Sequence, residues 1–220
     1  MRFDDIVKKR RSIRSYKDIP LDKSTVMKIL LSATNAPSSG NIQNWRFIIV
    51  TDFEKRQKIS HICHDQIWMQ KAPVHIVVCA DTSVAKKYYG IRGERLYSVQ
   101  NCAAAVENMI LKAVELSVDS CWVSAFEEVR LKNLLDIPDS VRPQTILTLG
   151  YGDETVLEPT KHDPATFVFF ESYGTEVNPL NMSVKRRNYR DVNQTFIDKT
   201  NKLAHDIWHK WKVYYKKLLK

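Results

Sequence analysis

The chain has 220 residues, 44% of them hydrophobic, and 34 Lys and Arg against 25 Asp and Glu give it a net charge of +9. That is enough apolar material for one substantial core carrying a long appendage, while no apolar run approaches the ~20 residues that span a bilayer. The start, MRFDDIVKKRR, is too charged for a signal peptide, so a soluble, cytoplasmic protein is expected.

A short first helix is expected around Phe3, Ile6 and Val7, running into a basic stretch and then a loop through Pro20. Ser24 is placed to cap a second helix, in which Val26, Ile29, Leu30 and Ala33 recur at helical spacing until Pro37 stops it. RFIIVT (46–51), VHIVVCA (74–80), SCWVS (120–124) and TILTLGY (145–151) read as strands, and TFVFFES (166–172) as a fifth. The longest helix is expected over residues 97–116, apolar on more than one side and therefore central. Cys63, Cys79, Cys102 and Cys121 are scattered in apolar surroundings with no C-x-x-C, as reduced core residues would be. This order, with no G-x-G-x-x-G turn after the first strand, predicts an α+β sandwich and not a dinucleotide-binding parallel sheet.

Two stretches carry chemistry. RRSIR (10–14) offers three guanidinium groups, a hydroxyl and backbone amides within five residues, a set suited to a phosphomonoester and equally to a solvated basic face. ATNAPSSGNIQNW (33–45) is too crowded with small polar residues for a plain helix-to-strand turn and has the make-up of a ligand loop.

Taken in order and spacing, RRSIRSYKDIPL, APSSGNIQNWRFIIV, QNCAAAVENMILKAVELSVDSCWVSAF and LTLGYG resemble the nitroreductase family of flavin mononucleotide (FMN) enzymes, over about residues 3–173. The resemblance implies a three-layer sandwich, a mainly antiparallel sheet flanked by helices, with an FMN-binding domain over residues 1–173. It also implies that Arg10, Arg11, Ser12 and Arg14 hold the flavin phosphate and ribityl chain. Pro37, Ser38, Ser39, Asn41 and Gln43 would reach the flavin ring from the other subunit of a homodimer. Asn101 matches a polar position near the flavin, and Trp122, Val123, Ser124 and Ala125 a segment covering the back of the ring. Where the family usually places an arginine two residues before a proline, this chain has His162, preceded by Lys161; either would substitute as a phosphate ligand, or the phosphate rests on the first basic segment alone.

The implied activity is oxidation of NADH or NADPH and reduction of a small aromatic, quinone or nitro-type acceptor by a two-step exchange, with a flavin reductase, a dehalogenase or a flavin-binding protein as alternatives. The flavin carries the redox chemistry, so no catalytic acid or base is assigned. Residues 84–97, where family members vary and place a lid, supply Tyr88, Tyr89, Arg92 and Arg95 as substrate contacts. HICH (61–64) and HDIWH (205–209) lack a second ligand pair, so no metal is expected. From Glu171 onward 11 Lys and Arg face 5 Asp and Glu, which puts +6 of the charge in the tail. Residues 174–220 read as a basic linker and then, from residue 195, an amphipathic helix packing on the dimer partner, ahead of a membrane or nucleic acid.

Overall fold

The computed structural model describes residues 1–177 and 184–186. The chain divides into two units, Met1–Glu158 and Pro159–Lys220. The expected amphipathic helix from residue 195 lies outside the described residues.

The first unit is built on an antiparallel sheet of β1 (Trp45–Val50), β2 (Val74–Asp81), β3 (Asp119–Val123) and β4 (Val141–Gly150), in the order β1-β2-β4-β3. Helices α2 (Lys23–Ala33) and α5 (Ser98–Glu115) share a core with one face, where Ile29, Val106 and Met109 meet Ile76, Val78 and Leu147. Helices α3 (Phe53–Ile62) and α6 (Glu128–Leu134) share a core with the other, where Ile59 and Leu131 meet Val77, Cys79 and Ile146. β2 is buried on both faces, which is why its sequence does not alternate and, ahead of Asp81, is apolar apart from His75. Helices α1 (Phe3–Lys9) and α4 (Thr82–Arg92) complete the unit. The α+β three-layer expectation holds for these elements.

Three local readings change. Asp22, not Ser24, caps α2: its carboxylate accepts from the Thr25 amide at 3.2 Å and from the Ser24 hydroxyl, which lies inside the helix. Residues 166–172 are not a strand. Asp163 accepts from the Ala165 amide at 2.9 Å and starts a 3₁₀ turn, Pro164–Thr166, whose proline sits at the helical position that needs no N–H. Within the expected linker, β5 (Thr175–Val177) and β6 (Val184–Arg186) pair antiparallel. Residues 84–97, expected to supply a lid, are helical: α4 is kinked at Gly90, whose φ of 58° with ψ of −147° suits only glycine, and runs into a π-helical turn, Gly93–Tyr97.

All four cysteines are buried free thiols, and burial pushes Cys63, Cys79 and Cys102 up to about 12. His75 on β2 is fully buried, with Nε2 at 2.9 Å from the Met69 carbonyl and Nδ1 without a hydrogen-bond partner among the described residues. Burial, with Arg56 nearby, outweighs that carbonyl and pulls its pKa from 6.5 down to about 4. The unfolded chain therefore binds a proton below pH 6.5 that the folded chain refuses until about pH 4. Stability attributable to His75 should be intact above pH 6.5 and fall by roughly 1.4 kcal/mol per unit as pH drops toward 4. Urea unfolding at several pH values checks this. A His75→Gln variant should lose that part of the slope, and an unchanged slope would refute it.

Candidate functional site

Leaving α1, the basic segment turns along the outer edge of β3. Ser12 bridges Ser120, the Ile13 amide donates to the Ser120 carbonyl at 3.0 Å, and Tyr16 bridges Gly152 beyond β4. Ile13 and Tyr16 are buried and hold the strip down, so Arg14 between them faces solvent. The Tyr16 hydroxyl bonds Thr148 at 2.8 Å, and burial keeps this phenol protonated far above the ordinary tyrosine range.

The three arginines differ. Arg11 Nη1 donates to the Lys8 and Arg10 carbonyls at 2.6 and 2.7 Å, and Nη2 stands 3.7 Å from Glu158. Its Nε is buried with no partner among the described residues. Arg10 and Arg14 make no side-chain hydrogen bond or ion pair among those residues. Glu154, which sequence reasoning missed, accepts from the amides of Arg14 and, at 2.9 Å, Ser15. An acid 140 residues away gives no local signal.

Further along the same edge come Trp122 to Ala125. Val123 is buried, while Trp122, Ser124 and Ala125 are exposed. Trp122 is fixed despite its exposure: its indole donates to Ser124 Oγ at 2.7 Å, which reaches Thr145 at 3.2 Å, which in turn donates to the Val123 carbonyl at 2.8 Å. Among the described residues the outer edge of β3 pairs only through Ser12 and Ser120. The basic segment and the stretch 122–125 thus line one strand edge, about 7–17 Å apart at ~3.3 Å per residue.

The loop 37–43 lies elsewhere. It precedes β1, whose Trp45 pairs with Ala80 and through it with Arg142, whereas the Ser12 bridge falls level with Leu149. Seven residues of β4 and three strand spacings separate the two regions, more than about 20 Å. One chain does not bring residues 10–14 and 37–43 to a common pocket.

A buried polar network shapes this loop. The Ser39 amide and hydroxyl both donate to Asn101 Oδ1, at 3.0 and 3.1 Å. Asn101 Nδ2 donates to Asn44 Oδ1 at 2.8 Å, and Asn44 Nδ2 to Ser98 Oγ at 3.1 Å and the Asp81 carbonyl at 3.0 Å. Asn101 therefore stands with the loop, not with the basic segment, and Asn44 and Ser98 are members that the sequence did not single out. Their only signal was polar residues beside apolar ones. Gly40, Asn41 and Gln43 all have positive φ, at 51°, 57° and 46°. Two non-glycine residues in that region cost on the order of 1–2 kcal/mol each, and the network holds them there. Pro37, Asn41 and Gln43 face outward, while Ser38 Oγ accepts from the Gln43 amide at 3.1 Å. Replacing Asn101 by Ala should strand the Ser39 amide and Asn44 Oδ1 and cost about 1–3 kcal/mol. Thermal unfolding measures it, and a neutral substitution would show that water replaces the network.

Of the four residues expected as substrate contacts, Tyr89 joins this region. A Cβ on Gly40 would sit 2.2 Å from its hydroxyl, so ring and loop are in contact. Tyr97 packs edge-on to Tyr89 at 5.3 Å and accepts from Arg92 Nε at 3.1 Å. Tyr88 and Arg95 are exposed beside them. Lys161 and His162 are exposed in the second unit, ahead of its 3₁₀ turn. Among the described residues no group of three metal-ligating side chains occurs, and no helix is long and apolar enough to cross a membrane. His61 is hydrogen-bonded to Asp65 at 2.7 Å; His205 and His209 lie outside the described residues.

The family model described as the Nitroreductase family matches residues 7–69 and 63–151. A relative from Archaeoglobus fulgidus, provisionally named an NADH dehydrogenase/NAD(P)H nitroreductase, is 38% identical over 146 residues, 64% of this chain and 80% of that one. An FMN reductase (NAD(P)H) of Bacillus subtilis is 31% identical over 167 residues, 68% of this chain and 66% of its own. Among solved structures, an FMN-dependent nitroreductase from Clostridium difficile is 29% identical with a TM-score of 0.66, the match covering 76% of this chain and 98% of that one.

Proposed function

The chain belongs to the nitroreductase family, and from that premise we propose that it is an FMN-dependent NAD(P)H oxidoreductase, which reduces a small aromatic, quinone or nitro-type acceptor in two alternating half-reactions. The observation that carries this reading is the outer edge of β3. There a buried Arg11 Nε and the guanidinium groups of Arg10 and Arg14, none of them with a partner among the described residues, belong to the segment that bridges the same strand edge as the exposed Trp122, Ser124 and Ala125.

These residues fit a flavin phosphate at one end and its ring at the other. Arg10, Arg11, Ser12 and Arg14 would hold the phosphate, with the guanidinium forks of Arg10 and Arg14 and the Arg11 Nε–H as donors. Trp122 to Ala125 would back the ring, Trp122 being locked by Ser124 so that the surface is rigid before the ring arrives. FMN supplies the redox chemistry when bound, accepting a hydride from reduced nicotinamide and returning it to an acceptor.

The separation within one chain supports a homodimer in which Pro37, Ser38, Ser39, Asn41 and Gln43 of a second copy close the site. In that arrangement Tyr88, Tyr89, Arg92 and Arg95 accompany the loop, Tyr89 through its contact with Gly40, and offer aromatic faces and cations to nicotinamide or an anionic acceptor. Lys161 and His162 are proposed as further phosphate ligands, residues 1–173 as the flavin domain, and the tail from residue 174 as a dimer-packing extension, in a cytoplasmic enzyme. A flavin as the acceptor is the second reading, favoured by the relative named FMN reductase.

Purified protein should carry a flavin visible spectrum that bleaches anaerobically with NADH or NADPH and returns on adding a nitroaromatic or quinone. A flavin that neither nicotinamide reduces would overturn the enzymatic reading. Return of colour only with free flavin would select the second one.

A further inference from the structure

At the end of the sheet where β1 finishes and β2 begins, a cavity of about 770 Å³ opens between the segment ahead of α2, the start of α3 and the turn into β2. Its volume is in the range of small-molecule pockets, about 300–1,000 Å³. Its charged lining is Lys17, Lys23, Arg56 and Lys71 against Asp18 and Asp153, and among the described residues none of the four cations forms an ion pair.

Arg56 is the fixed member. Its Nη1 donates to the carbonyls of Gln70 at 2.6 Å and Ala72 at 2.7 Å, and its Nε to that of Thr51 at 3.2 Å. All three partners are neutral, and Nη2 has no hydrogen bond among the described residues. Burial lowers the guanidinium's pKa against the pull of Asp52 and Asp18, as expected of a cation whose charge is incompletely matched. The exposed ring of Phe53 lies 5.4 Å from the guanidinium, and Pro20, Leu21 and Pro73 add apolar wall.

We propose that this cavity binds a phosphomonoester carried on a flat apolar body, at a site separate from Arg10–Arg14. The lining has an excess of two positive charges, which suits a dianion better than a monocarboxylate. Arg56 presents a rigid pair of N–H donors, and the lysines add charges on flexible stems that adjust to the remaining oxygens. Phe53 and the prolines give the ligand body a surface to lie on. The inference does not rest on the enzymatic reading above, because no residue of the cavity belongs to the proposed flavin site.

Phenyl phosphate is the probe, titrated calorimetrically at low salt into FMN-saturated protein, with inorganic phosphate and benzoate in parallel. One site per chain is expected, at least tenfold tighter for phenyl phosphate than for either simpler anion. Lys17→Gln with Lys71→Gln, two exposed lysines without side-chain hydrogen bonds among the described residues, should weaken it at least tenfold while leaving the melting temperature unchanged. Arg10→Ala with Arg14→Ala, titrated without flavin, should leave it intact. Loss of binding in the arginine variant would assign the anion to the flavin-phosphate segment and overturn the proposal. So would equal affinity for phenyl phosphate and phosphate, tighter binding of benzoate, or indifference to the lysine changes.

Discussion

Replacing Arg10 and Arg14 together by alanine is expected to weaken flavin retention by about 3–6 kcal/mol, a factor on the order of 10²–10⁴ in Kd. Each charge-assisted contact to a phosphate contributes about 1.5–3 kcal/mol, and neither guanidinium has a partner among the described residues to lose. The folded chain should therefore tolerate the change: Ile13 and Tyr16, not the arginines, fasten the strip to Ser120 and Thr148. Fluorescence titration of apoprotein with FMN, beside a thermal melt, separates the two effects. Unchanged affinity in a stably folded double variant would remove this segment from the flavin site.

Flavin release is expected to follow subunit dissociation on dilution, the second large effect. Because residues 10–14 and 37–43 of one chain lie at opposite ends and edges of the sheet, a lone subunit would offer the proposed flavin site only residues 10–14 and the β3 edge. Whatever binds the assembled state alone stabilises that state by mass action, so added FMN should also shift the dissociation midpoint to lower protein concentration. Sedimentation recorded at a flavin wavelength follows cofactor and mass together. A monomer holding stoichiometric FMN would show that the loop of a second copy is not required.

Much of this architecture is legible in local sequence. The four strands of the main sheet, α2 and α5 announce themselves by apolar runs or helical spacing, because burial on two faces or one leaves its period in the chain. Helices α3 and α6 do not. FEKRQKISHI buries only Ile59, Ser60 and Ile62, too few positions for a pattern, and its start is set by Asp52 accepting from the Lys55 amide at 2.9 Å. The segment 166–172 misled in the other direction, since its aromatic residues have strand propensity but Asp163 and Pro164 commit the chain to a turn.

The candidate site divides the same way. By itself the sequence determined the chemistry available: arginines with a serine at 10–14, and small residues with amides at 37–43, since residue type and close spacing are local properties. Only the tertiary structure decided which of these groups meet. Strand order and register place Ser12 beside Ser120 and send the loop to the far corner. They join Asn101 to Ser39 and Asn44, bring the Tyr89 hydroxyl against Gly40, and aim Glu154 at the amides of Arg14 and Ser15. Those partners are 49 to 140 residues apart, and pairing over such distances is fixed by how two faces of one sheet are buried at once, which no short stretch of sequence records.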